Sequence, residues 1–413
     1  MLFTTVKKRL KASSLYPALH RMRYLVHRYV VRRNFSSVHL AEGVSIVPVD
    51  DGITFFGYYN ISPENYRGYV LYLKVLKEHV RGSLFEEASI MLKTKNGQVR
   101  NIGRTKSWNW QQGCMIQWLN SDKDHIIYND YDPGTDTYVC KVIDTEGNLL
   151  KKYDMPINCV AQNGEYALCL NYDRLAIMRP DYGYFNRKNN ALQDDDADGI
   201  WKLDLRSGKP SLVISLKHLK ETSFTSTMKG ATHKVNHIDI NPSGSRFMFL
   251  HRWIGPAGRF MRLITAKPDG SDLQILNGDN MTSHTCWLDE NQILSFCEYK
   301  GDVGYFVFSE QKARVRRCPA KIHQVDGHPS ISPNGNKIIM DTYPGISRFS
   351  TLHLYCLEKK LFITLGAFHQ PPGYAGEIRV DLHPKWSYHG DCVYVESAHE
   401  NHRKLYKITL PES

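Results

Sequence analysis

The sequence predicts an all-β protein folded as a seven-bladed β-propeller. Short segments that share one register recur along the 413-residue chain, mostly at intervals of 43 to 56 residues. Each segment consists of a strand, a tight turn and a second, apolar strand, which is the pattern of a β-hairpin. A repeat of forty to fifty residues with several strands per unit is typical of a propeller. The hydrophobic content of 42% suits a globular chain, and no apolar run is long enough to span a membrane.

Four of the segments begin with a histidine at the same position of the repeat. In each, a turn of the Ser-Pro-x-Gly type or a near relative follows, and an apolar run comes after it. The four segments are His237-Ile-Asp-Ile-Asn-Pro-Ser-Gly244, His284-Thr-Cys-Trp-Leu-Asp-Glu-Asn291, His328-Pro-Ser-Ile-Ser-Pro-Asn-Gly335 and His383-Pro-Lys-Trp-Ser-Tyr-His-Gly390. Four histidines in one register indicate one shared structural position.

Three earlier segments extend the register to seven units, with Tyr58, Met115 and Ile157 at the histidine position. The turns of the third and fourth units lie about 80 residues apart. We expect this longer interval to hold a surface loop that covers one mouth of the ring. Its acidic run, residues 193–199, lacks the full ligand pattern of a calcium loop. The strand around Val44–Val49 should complete the last blade and close the ring, which removes exposed sheet edges.

The basic residues are concentrated at the start of the chain. Residues 1–41 hold nine Lys or Arg and no Asp or Glu, which leaves 44 basic against 42 acidic residues, about +2, for the remainder. The body is therefore not a nucleic-acid binder by bulk charge. We assign residues 1–40 to a short basic amphipathic helical arm and residues 41–413 to the propeller.

Residues 1–35 have apolar positions at helical spacing among their basic residues. This pattern favours peripheral contact with an anionic membrane, while a solvated arm, an arm docked on the body and an organelle transit peptide are the alternatives. No apolar core of signal-peptide type is present, so we expect a cytoplasmic protein, peripheral on the inner membrane if the arm binds lipid. Nine scattered cysteines without a CxxC pair predict buried free thiols.

The shared position opens the innermost strand of each blade, so the four histidines should line one mouth of the channel. Converging imidazoles suit a divalent metal such as Mn, Fe, Ni or Zn, and Gln324 is a candidate oxygen ligand. The alternative is that each histidine caps its strand by hydrogen bonding to a neighbouring blade. Loops at the same mouth supply candidate catalytic and substrate-binding residues, namely Arg174, Arg252, Tyr343 and His399. A hydrolase with paired carboxylates drawn from Asp130, Asp173, Asp341 and Glu396 is a further alternative.

The segment Gln324-Val-Asp-Gly-His-Pro-Ser330, together with His284 and His237, resembles the oligogalacturonate lyase family. That family is a seven-bladed propeller, and the propeller-type ulvan lyases are looser relatives. The resemblance implies a Mn-like ion held by His284, Gln324 and His328, with His237 as catalytic base. The family's second histidine is Asp326 here, so His383 or Asp326 itself would take its place. Other segments, such as Phe55-Phe-Gly-Tyr-Tyr59, look like bacterial propellers found among polysaccharide genes.

The implied chemistry is β-elimination on an acidic oligo- or polysaccharide that contains uronate. A metal or an arginine, with Arg252 and Arg174 as candidates, would neutralise the substrate carboxylate. A neutral His237 or a Tyr58 phenolate would then remove the C5 proton. The competing hypothesis is a non-catalytic glycan-binding or scaffold propeller in the biosynthesis of surface polysaccharide, such as a capsule.

Overall fold

Seven antiparallel sheets form the protein, as the sequence predicts. The computed structural model describes residues 36–78, 86–119, 124–187, 191–278, 281–310, 314–318 and 325–411. The inner strands of the third to seventh blades contact one another in succession, the first blade contacts the second, and the last blade contacts the first. Of the predicted helical arm, residues 1–40, the first 35 lie outside the described residues, and its last three, Val38–Leu40, form a β-strand instead of a helix.

The first three blades each have four strands. Blade 1 comprises β3 (Ile53–Phe55), β4 (Val70–Val75), β5 (Ala88–Lys93) and β6 (Val99–Thr105). Blade 2 comprises β7 (Gln117–Leu119), β8 (His125–Asp132), β9 (Thr137–Ile143) and β10 (Leu149–Tyr153). Blade 3 comprises β11 (Cys159–Val160), β12 (Tyr166–Cys169), β13 (Gly199–Asp204) and β14 (Pro210–Ser215).

The next two blades repeat this plan with longer strands. Blade 4 comprises β15 (Thr232–Ile240), β16 (Phe247–Gly255), β17 (Gly258–Ala266) and β18 (Gln274–Asn277). Blade 5 comprises β19 (Thr282–Trp287), β20 (Gln292–Tyr299), β21 (Asp302–Ser309) and β22 (Arg314–Arg317). The apolar run at the start of β16, residues 247–250, is fully buried because both faces of the strand pack against neighbouring blades.

The N-terminal strands complete the last two blades. Blade 6 comprises β23 (Ser330–Ile331), β24 (Lys337–Asp341), β25 (Phe349–Cys356), β26 (Leu361–His369) and, at its edge, β1 (Val38–Leu40). Blade 7 comprises β27 (Lys385–Trp386), β28 (Cys392–Ser397), β29 (Lys404–Thr409) and β2 (Ser45–Pro48). The predicted closing strand is thus present as β2, paired with β29, whereas β1 had no counterpart in the sequence analysis. Described β-structure therefore begins at Val38.

Within the described residues, helical structure is confined to the connections between strands. The long interval after β12 contains α1 (Tyr172–Met178), capped by the Asn171 side chain, and a 3-10 turn at Pro180–Tyr182. After β14 come α2 (Leu216–Glu221) and a 3-10 turn at Ser226–Met228, and a further turn, Gly376–Ile378, precedes blade 7. The acidic run, residues 193–199, lies in the long interval between β12 and β13, where Asp195 and Asp198 form ion pairs with Arg174.

Two expectations from composition are met in the described chain. All nine cysteines are free thiols, and eight of them are buried. No helix in the described ranges combines the length and apolar character needed to cross a bilayer.

Candidate active site at the histidine mouth

The shared register brings the four histidines into one continuous cluster. The ring centroids of His237 and His284 lie 5.9 Å apart, those of His284 and His328 4.1 Å, and those of His328 and His383 4.3 Å. All four side chains are buried. Tyr59 packs against the rings of three of them from within the channel.

At the histidine position of the repeat, three of the seven blades have a left-handed backbone, which sets the direction of the side chain. His237 has φ 54°, His383 has φ 43° and Met115, at the same position in blade 2, has φ 53°. Left-handed backbone costs a non-glycine residue about 1–2 kcal/mol, so packing must maintain it. In blade 4 the kink coincides with a β-bulge between Asn236 and Asp239. Bulges re-aim side chains, and this one directs His237 toward the mouth.

His328 is held in the orientation expected of a metal ligand. Its Nδ1 lies 2.9 Å and 3.0 Å from the two carboxylate oxygens of Asp341, which also accepts the backbone N–H groups of His328 and His383. Burial alone would lower the pKa of His328, but the Asp341 carboxylate outweighs it and raises that pKa. The Nε2 atom is buried and has no hydrogen-bond partner among the described residues. A histidine with one nitrogen on a carboxylate and the other free is typical of metal sites.

Three buried side chains could hold a metal ion together. The ligand atoms of His328, Asp381 and His383 all lie within 4.8 Å of one another. His383 Nε2 is 3.9 Å from one oxygen of Asp381, and the other oxygen, Oδ1, is buried without a partner in the described structure. Two imidazoles and a carboxylate suit a divalent transition metal. The residues present therefore fit such an ion.

Asp381 was not among the ligands inferred from the sequence. It lies two residues before His383 in the segment Asp381-Leu-His-Pro384, and an acidic residue so close to a ligand histidine was the available signal. Of the two replacements considered for the family's second histidine, His383 belongs to this group and Asp326 does not. Gln324 lies outside the described residues.

His284 borders this group and has a carboxylate of its own. Its Nδ1 lies 3.0 Å from Asp326 Oδ1, and its Nε2 lies 3.4 Å from the hydroxyl of Tyr343. Burial raises the pKa of Asp326, but the neighbouring His284 lowers it by more, so the pKa of Asp326 is below its usual value. Asp326 thus orients His284, and Tyr343 lies next to it.

His237 forms a pair with Tyr58. The Tyr58 hydroxyl is hydrogen bonded to His237 Nδ1, and the ring of Tyr182 meets His237 edge-on at 5.5 Å. Burial lowers the pKa of His237 and raises that of Tyr58 well above its usual value. The imidazole is therefore neutral at neutral pH and the phenol keeps its proton. This argues for His237, and against a Tyr58 phenolate, as the base.

Three basic residues, Arg252, Arg179 and Lys234, lie near the Tyr58–His237 pair. Arg252 is largely buried, and its Nε has no hydrogen-bond partner among the described residues. Burial, together with a smaller contribution from the nearby Arg179, lowers the pKa of Arg252 to about 10. Lys234, also close to Arg252 and Arg179, donates to the carbonyl of Met178 at 2.7 Å, and burial lowers its pKa to about 7. The positive charge of Arg252, held at low exposure, favours an anionic ligand.

Two residues expected to bind substrate are occupied by structural contacts instead. The Arg174 side chain is 4% exposed, and its guanidinium holds Asp198 and, at 2.9 Å, the carbonyl of His233. His399 Nδ1 lies 2.9 Å from Ser397 Oγ, and its ring packs between Phe368 and Tyr406. Both are corrections to the sequence analysis, which placed them at the mouth because their loops open there.

The paired-carboxylate alternative is not favoured. Each of its four carboxylates is engaged: Asp130 by Lys141, Asp173 by Arg187, Asp341 by His328 and Glu396 by Arg403. Glu396 also accepts the backbone N–H groups of Phe56 and Gly57, which joins blade 7 to blade 1. These carboxylates hold the structure together, and the imidazoles are the groups that converge.

Comparison with solved structures supports the resemblance in fold. An oligogalacturonate lyase from Vibrio parahaemolyticus is 13% identical, with a TM-score of 0.61 over 91% of this chain and 97% of that one. An oligogalacturonate lyase in complex with manganese is 15% identical, also with a TM-score of 0.61, over 91% of this chain and 95% of that one. No family model and no curated protein matches the sequence. At these identities the likeness establishes the propeller fold.

Proposed function

We propose that the protein is a metal-dependent lyase that cleaves uronate-containing glycans by β-elimination. The observation that carries this proposal is the buried group of His328, Asp381 and His383, in which one imidazole nitrogen and one carboxylate oxygen have no partner in the described part of the chain. The neutral His237 borders His284, and Arg252, whose Nε has no partner within the described ranges, lies close enough to His237 to lower its pKa. Together these groups provide a cation site, a base and an anion-binding arginine.

The metal would be held by His328, His383 and Asp381, and the ring centroid of His284 lies 4.1 Å from that of His328. When bound, the metal supplies positive charge that polarises the substrate carboxylate and so acidifies the neighbouring C5–H bond. Manganese is the proposed ion, as in the similar lyase structure, with iron, nickel and zinc as alternatives.

Proton removal is assigned to His237. In the tautomer that serves as base, Nδ1–H donates to the Tyr58 oxygen and Nε2 takes the C5 proton. The C4–O bond to the departing sugar then breaks as the C4–C5 double bond forms, and the departing oxygen takes up a proton from water. Arg252 binds the uronate carboxylate and offsets the charge that develops on it as the proton leaves. Lys234 and Arg179 add to the positive field, so the proposed substrate class is an acidic oligo- or polysaccharide.

Metal content of the purified protein tests the first half of the proposal. Near-stoichiometric metal is expected in the wild type, with loss in His328→Ala and in Asp381→Asn because each change removes a ligand. His399→Ala is the matched control, since it removes a buried histidine that packs elsewhere. A wild-type protein that stays free of metal after reconstitution would contradict the metal centre.

Turnover tests the second half. Loaded wild-type protein should release unsaturated uronates, measured by ultraviolet absorbance, from oligouronides. His237→Ala should keep its metal and lose about 10²–10⁴-fold in kcat, the usual contribution of a positioned base. Normal turnover by His237→Ala would remove His237 from the mechanism.

The alternative function is a non-catalytic glycan-binding or scaffold propeller for surface-polysaccharide synthesis. The feature that favours it is the basic segment, nine Lys or Arg without an acid in residues 1–41, which suits attachment to the cytoplasmic face of an anionic inner membrane. Binding of an acidic glycan without release of unsaturated product, in a metal-loaded protein, would decide for this alternative.

A further inference from the structure

One segment of the chain crosses the mouth above the histidines. It follows β12 of blade 3 and includes α1 and the turn Pro180–Tyr182. Asp181 Oδ2 accepts a hydrogen bond from Arg379 Nη1 at 2.9 Å, although the two residues are 198 positions apart. Arg379 lies in the connection between blades 6 and 7, which in a seven-bladed ring are the blades farthest from blade 3. An ion pair between these two sides therefore has to span the mouth.

The crossing segment, defined here as residues 171–187, packs against His237, the proposed base. Tyr182 is 2% exposed and contacts the His237 ring. The Arg179 guanidinium lies 4.8 Å from the centre of the Tyr182 ring, and its Nε is 3.1 Å from Asp181 Oδ1. The segment thus places one aromatic ring, one arginine and one carboxylate directly over the site.

Arg379 connects this segment to the candidate metal group. Its Nε donates to Asp381 Oδ2 at 2.7 Å while its Nη1 holds Asp181. The carbonyl of Arg379 accepts from the side chains of Gln111 and Arg403, so its backbone is anchored. The guanidinium is therefore shared between two carboxylates, and Asp381 is left with Oδ1 for another partner.

We propose that Arg379 is a positioning residue that couples cation binding at Asp381 to closure of the crossing segment. The inference rests on the metal centre proposed above. A cation on Asp381 competes with the Arg379 guanidinium for the Asp381 carboxylate. The guanidinium is then free to pair more strongly with Asp181. Conversely, Asp181 offsets the positive charge of Arg379 and makes Asp381 a better ligand. Coupling of this kind is reciprocal, so each event favours the other by the same factor.

The variant Asp181→Asn tests the coupling without touching a proposed ligand. Titration calorimetry with Mn²⁺ should show binding weaker by roughly 5-fold or more, the lower end of typical coupling between sites. Asp196→Asn is the matched control, because it removes the same charge from an exposed position of the same long connection. Its affinity for Mn²⁺ should equal that of the wild type.

The reciprocal effect is measured by hydrogen exchange, first in the wild type and then in Asp181→Asn. In wild-type protein, Mn²⁺ should slow amide hydrogen exchange in residues 172–187, and in Asp181→Asn this protection should be reduced by the same factor as the affinity. A purely structural ion pair would change the melting temperature but not this metal-dependent protection.

The outcomes separate the two proposals. Equal Mn²⁺ affinities in both variants, or exchange that does not respond to Mn²⁺ in a wild type that binds it, would overturn the coupling and leave the metal centre standing. A wild type that binds no Mn²⁺ would overturn the metal centre and the coupling together.

Discussion

At the residue scale, the hydrogen-bond partners of three of the four imidazoles distinguish side chains that the repeat makes equivalent. His328 is held by Asp341, His284 by Asp326 and His237 by Tyr58. A carboxylate on Nδ1 raises the basicity of a metal ligand, whereas a phenol leaves a neutral imidazole free to accept a proton. The same residue type at one position therefore supports two roles.

Asp239 provides a pH-dependent prediction at this scale. It follows the bulge in β15, and burial raises its pKa to about 7 against hydrogen bonds from the Asn60 side chain and backbone that lower it. An unfolded aspartate has a pKa near 3.9, so between about pH 4 and 7 Asp239 is protonated in the folded state and ionised in the unfolded state. This group therefore costs stability as pH rises through that window.

We expect Asp239→Asn to stabilise the protein by an amount on the order of 1–3 kcal/mol at pH 8 and by much less at pH 4. Urea unfolding at both pH values measures the difference. Asp196→Asn, which removes an exposed carboxylate, should change little at either pH. A gain for Asp239→Asn that is the same at both pH values would show that titration of Asp239 is not its source.

At the element scale, the blades hold the site while the connections supply its chemistry. Asp341 ends β24, Asp326 precedes β23, and Asp381 and Arg379 lie between β26 and β27. These connections pass close to one another, and Gly327 shows how close. A Cβ added at Gly327 would lie 1.8 Å from the carbonyl oxygen of Asp341, so only glycine lets the backbone approach the carboxylate that orients His328.

Gly327→Ala should therefore force the segment away from Asp341. We expect a loss of about 2 kcal/mol or more in unfolding free energy, together with weaker metal binding, because the His328–Asp341 pair is displaced. Gly345→Ala is the matched control, since no atom lies within 4 Å of its added Cβ and its backbone is not left-handed. Equal stability and equal metal content in the two variants would refute this account of Gly327.

At the scale of the whole molecule, two short N-terminal strands close the ring. Strand β2 pairs with β29 along Ser45–Pro48, and β1 pairs with β26 along Val38–Leu40. Val38, Leu40, Val44 and Ile46 pack against the core of blades 6 and 7. Both strands cover edges that would otherwise expose unpaired backbone groups.

Two truncations separate ring closure from the basic arm. Removal of residues 1–35 keeps both closing strands and should leave the melting temperature unchanged. Removal of residues 1–48 should lower it by on the order of 5–10 °C, because backbone pairing and several apolar contacts are lost. If the arm binds lipid, the full chain should sediment with anionic vesicles and the shorter truncation should not. Identical melting of the two truncated chains would contradict closure by β1 and β2.

The sequence by itself determined the repeat and the place of the histidines. Strands alternate with period two and each tight turn follows at a set distance, so the register of each hairpin is local information. The closing strand at Val44–Val49 and the meeting of four histidines at one mouth follow from that register together with the ring. Strand β1 was missed because three residues carry too little pattern to identify a strand.

Only the tertiary structure decided which groups each histidine meets. The pairs Tyr58–His237 and Asp181–Arg379 join residues 179 and 198 positions apart, and no local pattern specifies such contacts. For the same reason the sequence could not show that Arg174 and His399 make structural contacts. A polar residue in a loop at the mouth can turn inward and hydrogen bond to buried groups, and both of these residues do so. The register put the imidazoles together, and long-range contacts of the folded chain determined what each of them can do.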